Sequence, residues 1–199
     1  MSATNAPFGL RPAFHPSGLD RAQALANGIQ AVSTSGNVSA GYASNILKGQ
    51  PVKMDTGGYI VVAAAGDAFL GAFAGVEWTD TTGRRRVSNN WPASTAYVTG
   101  SCNAYFYQDP NIVYEIQTDG TLTQASIGAE ADLSNTTDGS TTTGLSQCTL
   151  SSTLKAAGVQ GQMQILNLAP YADNAWGDSF VIVRAQISKS QVTAAFTGI

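Results

Sequence analysis

The feature of this sequence that most restricts its fold is a series of short apolar segments separated by turn residues. The longest apolar runs, "YIVVAAA" at 59–65 and "FVIV" at 180–183, have the length of strands. Neither reaches the ~18 residues that a membrane helix requires, so no membrane partner is expected. Further strand-like segments follow at steady spacing, among them "NAYFYQD", "IVYEIQTDGTL" and "GQMQILNLA". This spacing predicts a mainly β fold with little helix, an antiparallel β-barrel or sandwich.

Glycines mark where the strands turn or approach one another. "DTGG" at 55–58 separates two β-like runs and predicts a hairpin, because glycine supplies the positive φ that such turns need. The segment "AFLGAFAGVEWTD" at 68–80 predicts a long strand. Its Gly71 and Gly75 indicate a bulge or a close backbone approach. "VSNNW" at 87–91 and "TAYVTGS" at 95–101 are also predicted as strands.

The chain divides by composition into an N-terminal arm with a connector, residues 1–41, and a β domain, residues 42–199. The arm contains "NAPFGLRPAFHPSG" at 5–18, whose three prolines exclude a helix and favour an extended segment. "RAQALANGIQAV" at 21–32 has weak helical spacing. Within the domain, residues 126–144 are polar and rich in glycine and threonine, which predicts a long loop. A short helical turn is expected near the C-terminus, in "SKSQVTAAF".

The charge of the chain is low and slightly acidic. Charged residues make up 12% of the sequence, and the formal net charge is −3. A composition with few charged residues and many Thr, Ser, Gly and Asn is common in β-rich proteins with tight subunit contacts. The acidic balance argues against a nucleic-acid partner, whose usual signature is a basic face. The one basic run, Arg84-Arg85-Arg86, could bind phosphate, but we interpret it as a turn followed by a strand whose charges alternate outward, or as a contact with another protein.

No catalytic motif is present. The sequence lacks a nucleophile elbow, a phosphate loop and a dinucleotide fingerprint. The single histidine, His15, precedes a proline in the broken N-terminal segment and is a poor candidate for a catalytic base. Five acids could supply a pair for glycoside hydrolysis, although that chemistry depends on their geometry; they are Asp109, Glu115, Asp119, Glu130 and Asp132. We expect a protein that is not an enzyme.

Neither a metal nor another cofactor is expected. Two cysteines and one histidine cannot form the usual Cys/His zinc site, and the acids lack the spacing of a calcium loop. Cys102 and Cys148 are 46 residues apart, and the sequence leaves open whether they form a disulfide.

Aromatic side chains suggest one alternative function. Tyr105, Phe106 and Tyr107 are consecutive, and alternating rings in a strand usually face the core on one side and an interface on the other. Exposed rings could instead stack on sugars, as in a carbohydrate- or receptor-binding β-module. The rings available for such a site are Trp78, Trp91, Tyr105, Tyr107 and Trp176.

Several motifs together resemble a known family. The opening "APFGLRPAFHPSG" looks like the start of small structural proteins encoded beside the major capsid protein of tailed bacteriophages. "LKGQPVKMDTGGYIVVAAAGDAFLGAFAGVEW" is similar to phage head-decoration β-barrels, in which "G-x-P-V" opens a strand and "GD" precedes the next one. "TTTGLSQCTLSS" and "NAWGDSFVIVRAQISKSQV" look like the later part of such proteins.

The resemblance implies a structural virion protein that binds the outer capsid surface and cements the shell against internal pressure. It implies synthesis in the host cytoplasm, the major capsid protein as partner, and assembly with its own copies as a homotrimer.

The residues expected to contact the capsid or a neighbouring subunit are Phe8, Arg11, Phe14, His15, Arg84, Arg85 and Arg86. Phe8 and Phe14 would be apolar anchors, and Arg11 a hydrogen-bonding fork. We expect the N-terminal segment to lie on a neighbouring subunit or on the capsid floor; the alternative is that it packs on its own domain.

Overall fold

A computed structural model describes residues 4–16, 24–26 and 42–193, which form fourteen strands and one short 3-10 turn at Gln124–Ser126. The mainly β, antiparallel architecture that the sequence predicts is confirmed, and its sheets are arranged as in a sandwich. The strands are β1 (Arg11–Phe14), β2 (Ala24–Ala26), β3 (Pro51–Met54), β4 (Ile60–Val62), β5 (Gly71–Thr79), β6 (Arg85–Ser88), β7 (Asn103–Tyr107), β8 (Val113–Gln117), β9 (Glu130–Ser134), β10 (Gly139–Ser140), β11 (Leu145–Ser146), β12 (Thr149–Leu154), β13 (Met163–Leu168) and β14 (Ile182–Ile187).

Two six-stranded sheets make up most of the fold. The first has the order β1-β8-β14-β13-β9-β12, with β1 at one edge. Its other edge strand is β12, in which Leu150 forms an isolated β-bridge with Thr118, the residue directly after β8. The second sheet has the order β2-β7-β5-β3-β4, with β6 paired to β5 outside that path, and β10 and β11 form a separate small ribbon.

The predicted hairpin and glycine contacts are confirmed. Strands β3 and β4 pair across the turn, and Asp55 Oδ1 accepts hydrogen bonds from the backbone N–H groups of Gly57 and Tyr59. A Cβ atom on Gly71 would lie 1.5 Å from the Tyr107 carbonyl oxygen, so only glycine fits there. The β5–β7 register shifts next to Gly75, as expected of a bulge.

Two clusters of buried side chains form the core. The first is built mainly from the inner face of the first sheet, and Tyr114 is fully buried within it. This cluster also includes Phe69 and Ala72 from the second sheet's part of the chain, so it connects the two sheets. The second cluster lies on the second sheet around Phe73, Trp91 and Phe106.

A buried glutamine links the two sheets by hydrogen bonds. Gln162 is fully buried, and its Nε2 donates to the carbonyl oxygens of Ala64 and Asp67 in the β4–β5 connection. Its Oε1 accepts from the backbone N–H of Leu133 in β9. Lys189 adds a second link, because its Nζ donates to the Gly66 carbonyl oxygen. Each of these polar groups is satisfied although it is buried or half-buried.

The prediction of one long loop over residues 126–144 is wrong at two places, because strands β9 and β10 lie within it. Strand β9 lies between β13 and β12, and its inward residues Ala131 and Leu133 are completely or almost completely buried. Its outward residues are Glu130, Asp132 and Ser134. Only two apolar side chains face the core, so overall composition conceals the alternation that defines a strand.

Three other predictions of secondary structure are corrected or lie outside the description. Residues 95–101 form no strand, and Val98 instead begins a turn. In the segment with weak helical spacing, the described residues 24–26 form strand β2, and the others lie outside the described residues. In the predicted C-terminal helical turn, residues 188–193 form bends and an isolated bridge and no helix, and residues 194–196 lie outside the described residues.

The two cysteines are buried in different parts of the core and do not form a disulfide with each other. Cys102 belongs to the second core cluster and Cys148 to the first. Burial raises the pKa of the Cys148 thiol, so this side chain stays protonated and packs as a small apolar group.

Candidate contact surface

The N-terminal segment is part of the first sheet. Strand β1 pairs antiparallel with β8, so that Arg11 faces Glu115 and Phe14 faces Val113. The expectation that this segment would lie on a neighbouring subunit and not on its own domain is therefore wrong for residues 4–16. The remainder of the predicted arm, apart from residues 24–26, lies outside the described residues.

The start of the segment is held by one buried side chain. Gln117 is 1% exposed, and its Oε1 accepts a hydrogen bond of 2.9 Å from the Ala6 backbone N–H. Its Nε2 donates to the carbonyl oxygens of Thr4, at 2.9 Å, and Phe180, at 3.3 Å. One carboxamide thus serves as both donor and acceptor for the chain entering the sheet.

The middle of the segment enters the core. Leu10 is 2% exposed within the first core cluster, and its backbone N–H donates to the Gly49 carbonyl oxygen. Gly9 precedes it with a φ of +73°, and a Cβ there would lie 2.7 Å from that same oxygen. A side chain at position 9 would therefore push the segment off the sheet.

A buried carboxylate holds the outer face of β1. Glu115 is 7% exposed and accepts hydrogen bonds from Arg11 Nη2 at 2.7 Å, from Arg184 Nε at 3.3 Å and from the Tyr171 hydroxyl. Arg11 also donates to the Tyr171 hydroxyl oxygen. Burial by itself would raise the pKa of Glu115, but the hydrogen bonds from Tyr171 and Arg11 outweigh it and leave that pKa below its ordinary value.

Two phenylalanines of the segment stack on these arginines. The Arg11 guanidinium carbon lies 4.5 Å from the Phe8 ring centroid, and that of Arg184 lies 5.2 Å from the Phe14 ring centroid. Both are within the range of a cation–π contact. We call the whole group the aromatic–arginine cluster; its members are Phe8, Arg11, Phe14, Glu115, Tyr171 and Arg184.

The cluster is firmly held yet partly open to solvent. Phe14 is 45% exposed, and the Arg11 side chain is 49% exposed, whereas Glu115 beneath them is buried. The cluster therefore presents an aromatic ring and a guanidinium in fixed positions on the outer face of the first sheet.

His15 ends the segment in contact with the β7–β8 connection. Its Nε2 lies 2.9 Å from Asp109 Oδ2. Burial would raise the pKa of Asp109, but hydrogen bonds from Asn111 and His15 more than compensate and lower it. The contact attaches the end of β1 to the rest of the sheet.

The three consecutive arginines lie on the second sheet, in the β5–β6 hairpin. Asp80 organises the turn, since its Oδ1 accepts from the backbone N–H groups of Thr82 and Arg84. Its Oδ2 accepts from Arg86 Nε at 2.9 Å. Hydrogen bonds from the Thr82 side chain, the Arg84 backbone and Arg86 together hold the pKa of Asp80 well below its usual range. Arg85 forms an ion pair with Glu77.

The structure thus separates the predicted contact residues into two places. Phe8, Arg11 and Phe14 meet in the aromatic–arginine cluster, with His15 at the end of the same strand. Arg84, Arg85 and Arg86 are exposed on the hairpin of the other sheet.

Sequence reasoning missed the partners that complete the cluster. Glu115 was considered only as one of five candidate acids, and Tyr171 and Arg184 were not considered. The available signal is the position of Glu115 inside the apolar run "IVYEIQ", because a buried carboxylate requires cationic or hydrogen-bonding partners.

The other candidate acids also have partners that hold the fold together. Asp119 accepts from the Ser134 hydroxyl and the Ser152 N–H, Glu130 from the Ser188 hydroxyl and the Gly161 N–H, and Asp132 pairs with Lys155. Glu130, Lys155 and Ser188 also line an open cleft of about 450 Å³. The charged groups of that cleft are thus already engaged within the protein.

The rings proposed for sugar stacking are less available than the alternative function requires. Trp78 is 8% exposed and Trp91 is fully buried, and the two pack edge to face with ring centroids 5.5 Å apart. Both belong to the second core cluster. Tyr105, Tyr107 and Trp176 are half-buried. Of the five candidate rings, only these three are accessible to a sugar.

Comparison with known proteins found no relative. No family model matches the chain, and no curated protein or solved structure matches it. In the described part of the chain, no helix is long and apolar enough to cross a membrane, and no three His, Cys, Asp or Glu side chains are grouped as metal ligands would be.

Proposed function

We propose that this protein is a structural component of a phage virion that binds the outer surface of the capsid and stabilises the shell against internal pressure. Its partners in this role are the major capsid protein and its own copies, arranged as a homotrimer. The motif resemblance given above supports the class of protein, and the aromatic–arginine cluster supports the mode of contact.

The observation that carries the proposal is the fixed exposure of Phe14 and Arg11. Aromatic and arginine side chains are enriched where protein interfaces gain most of their affinity. Here both are held by neighbours, because Phe14 stacks on Arg184 and Arg11 is bound by Glu115. Side chains that are already ordered lose less entropy when a partner docks.

The composition of the surface also fits a protein that acts in many copies. With charged residues at 12% of the chain, large contact areas can form without burying many unpaired charges. Many copies on one shell add their weak contacts, so each individual contact can be modest.

A shell-binding experiment tests the proposal. Purified full-length protein is added to expanded shells of the capsid protein encoded nearest to it, and binding and disruption temperature are measured. We expect saturable binding and a higher disruption temperature. Phe14→Ser should weaken binding about tenfold, as for a central interface aromatic. The matched control is Val159→Ser, which removes an apolar side chain of similar exposure (52%) elsewhere and should bind normally.

Two results would contradict the proposal. One is the absence of binding, and the other is saturation of the shells without any change in their thermal or mechanical resistance. Deleting residues 1–18 is not a clean test of contact, because Leu10 belongs to the core. Point substitutions at exposed positions, with folding verified by thermal unfolding, avoid that difficulty.

A further inference from the structure

The edges of the two sheets are protected to different degrees. In β1, Pro12 lacks a backbone N–H and so limits pairing with another strand. In β4, the Val62 N–H donates to the Tyr42 hydroxyl oxygen at 3.1 Å. In β12, Leu150 is bridged to Thr118.

In the described residues, the outer edge of strand β6 has none of these three features. Within the described residues it pairs with β5 alone, and none of its backbone groups bonds to another segment. In a strand paired on one side, the N–H and C=O groups of every second residue point to the free side. Strand β6 contains no proline, and Val87 at its centre is 75% exposed, the largest exposed fraction among the large apolar side chains described.

The charges beside this edge favour an acidic occupant. Arg84 is exposed and forms no ion pair with any described residue. Arg85 and Arg86 are paired with Glu77 and Asp80, but their side chains are 72% and 52% exposed. Exposed ion pairs contribute little and are exchanged readily for equivalent ones.

A second copy of β6 does not fit the same edge. Pairing two such strands would bring the three arginines of each copy close together, and like charges across strands are destabilising. An acidic strand with alternating apolar residues would instead place carboxylates on the face of Arg84 and Arg86 and apolar side chains on the opposite face, over Val87.

We propose that the free edge of β6 binds an extended acidic segment of the shell protein as an added β-strand. Main-chain hydrogen bonds to β6 supply affinity, and the arginines with Val87 select the sequence. The identification of the partner as the shell protein rests on the proposed function. The preference of the β6 edge for an acidic strand is independent of that function.

A peptide of defined sequence tests the edge directly. The probe is the capped peptide Thr-Val-Glu-Val-Glu-Val-Glu-Val-Thr, added to the full-length protein while amide exchange is followed residue by residue. We expect binding to slow exchange at amides of β6 and to leave the β1 amides unchanged. A peptide with lysine in place of glutamate, and one with every second backbone nitrogen methylated, should each fail to protect β6.

A charge-matched pair of variants isolates the contribution of the arginines. Arg84→Glu should weaken peptide binding about two- to fivefold, the range for an exposed ion pair. Lys48→Glu makes the same change of charge at another exposed residue without a described ion pair, and should leave binding unchanged. Thermal unfolding of both variants checks that they fold; the exchange experiment on the unmodified protein stands independently of them.

Several outcomes would overturn the inference. They are an absence of protection at β6, equal protection by the lysine peptide, and protection that appears with protein concentration alone, which would indicate a second copy as the occupant. If the protein binds shells but the acidic peptide does not protect β6, this inference fails and the proposed function stands. If the peptide protects β6 but shells are not bound, the proposed function fails and the acidic-strand edge stands.

Discussion

The sequence predicts that the N-terminal segment and the β5–β6 hairpin both contact a partner, but the two segments have different places in the structure. Residues 4–16 are part of the first sheet, with Leu10 in the core and Gln117 holding the chain at Thr4 and Ala6. The hairpin extends from the second sheet, and Arg84, Arg85, Arg86 and Val87 are all exposed.

The difference lies in what faces each segment. The N-terminal segment meets a buried carboxylate, Glu115, and a buried carboxamide, Gln117, and both require partners. Arg85 and Arg86 pair with Glu77 in β5 and with Asp80 in the turn of the same hairpin, so the rest of the fold does not depend on them. The first region contributes to stability, and the second remains available for contact.

The largest effect should come from the core contact of the N-terminal segment. Leu10→Ala removes a buried side chain and should lower the free energy of unfolding by about 3 kcal/mol, as for other buried leucines. The measurement is urea unfolding of the isolated protein. Val87→Ala, at an exposed position of β6, is the control and should change stability by less than about 0.5 kcal/mol. Equal, small effects would mean that the segment is an arm after all.

The second effect concerns Glu115. Glu115→Gln leaves Arg11 and Arg184 without their carboxylate and should cost about 2 kcal/mol at pH 7, below the range for fully buried pairs because Arg11 is half exposed. Folding lowers the pKa of Glu115. The stability that its carboxylate contributes is therefore fully present above the unfolded-state pKa of ~4.3 and is lost as the pH falls through the folded-state pKa.

Acid titration of stability checks the sign of that contribution. The wild type should lose stability as the pH is lowered below about 4.3, and Glu115→Gln should lose less over the same interval. Parallel curves for the two proteins would show that Glu115 has no such role, and a wild type that gains stability in acid would contradict the direction of the shift.

The third effect should be local to the hairpin. Asp80→Ala removes the acceptor for Thr82, Arg84 and Arg86, so the turn loses its organisation. Amide exchange should become faster in β6 while the first sheet keeps its protection. Faster exchange throughout the molecule would instead show that the hairpin is as integral to the fold as the N-terminal segment.

The smallest effect is expected at the exposed ion pair of the hairpin. Arg85→Ala breaks the ion pair with Glu77. Because the Arg85 side chain is 72% exposed, the unfolding midpoint should stay unchanged within error. High salt should likewise leave it unchanged. A clear loss of stability would mean that the hairpin arginines stabilise the fold, as the N-terminal segment does.

Local signals were sufficient for much of the fold. The hairpin at 55–58 is predicted by a glycine-containing turn between two short β-like segments. The close backbone approach at Gly71 is predicted by a glycine inside a strand. Strand β9 was missed because only Ala131 and Leu133 mark its buried face. Burial of Trp78 and Trp91 was not predicted either, since a tryptophan in a strand suits a core or a binding surface equally well.

The sequence by itself determined the β class, the positions of most strands and the glycine-dependent turns, because these depend on residues that are neighbours along the chain. Only the tertiary structure decided which of the two predicted contact segments is anchored in the core. Arg11 and Glu115 are 104 residues apart and Ala6 and Gln117 are 111 apart, and no local pattern records such pairs. They form because the fold buries Glu115 and Gln117, and burial requires that each find a hydrogen-bonding partner.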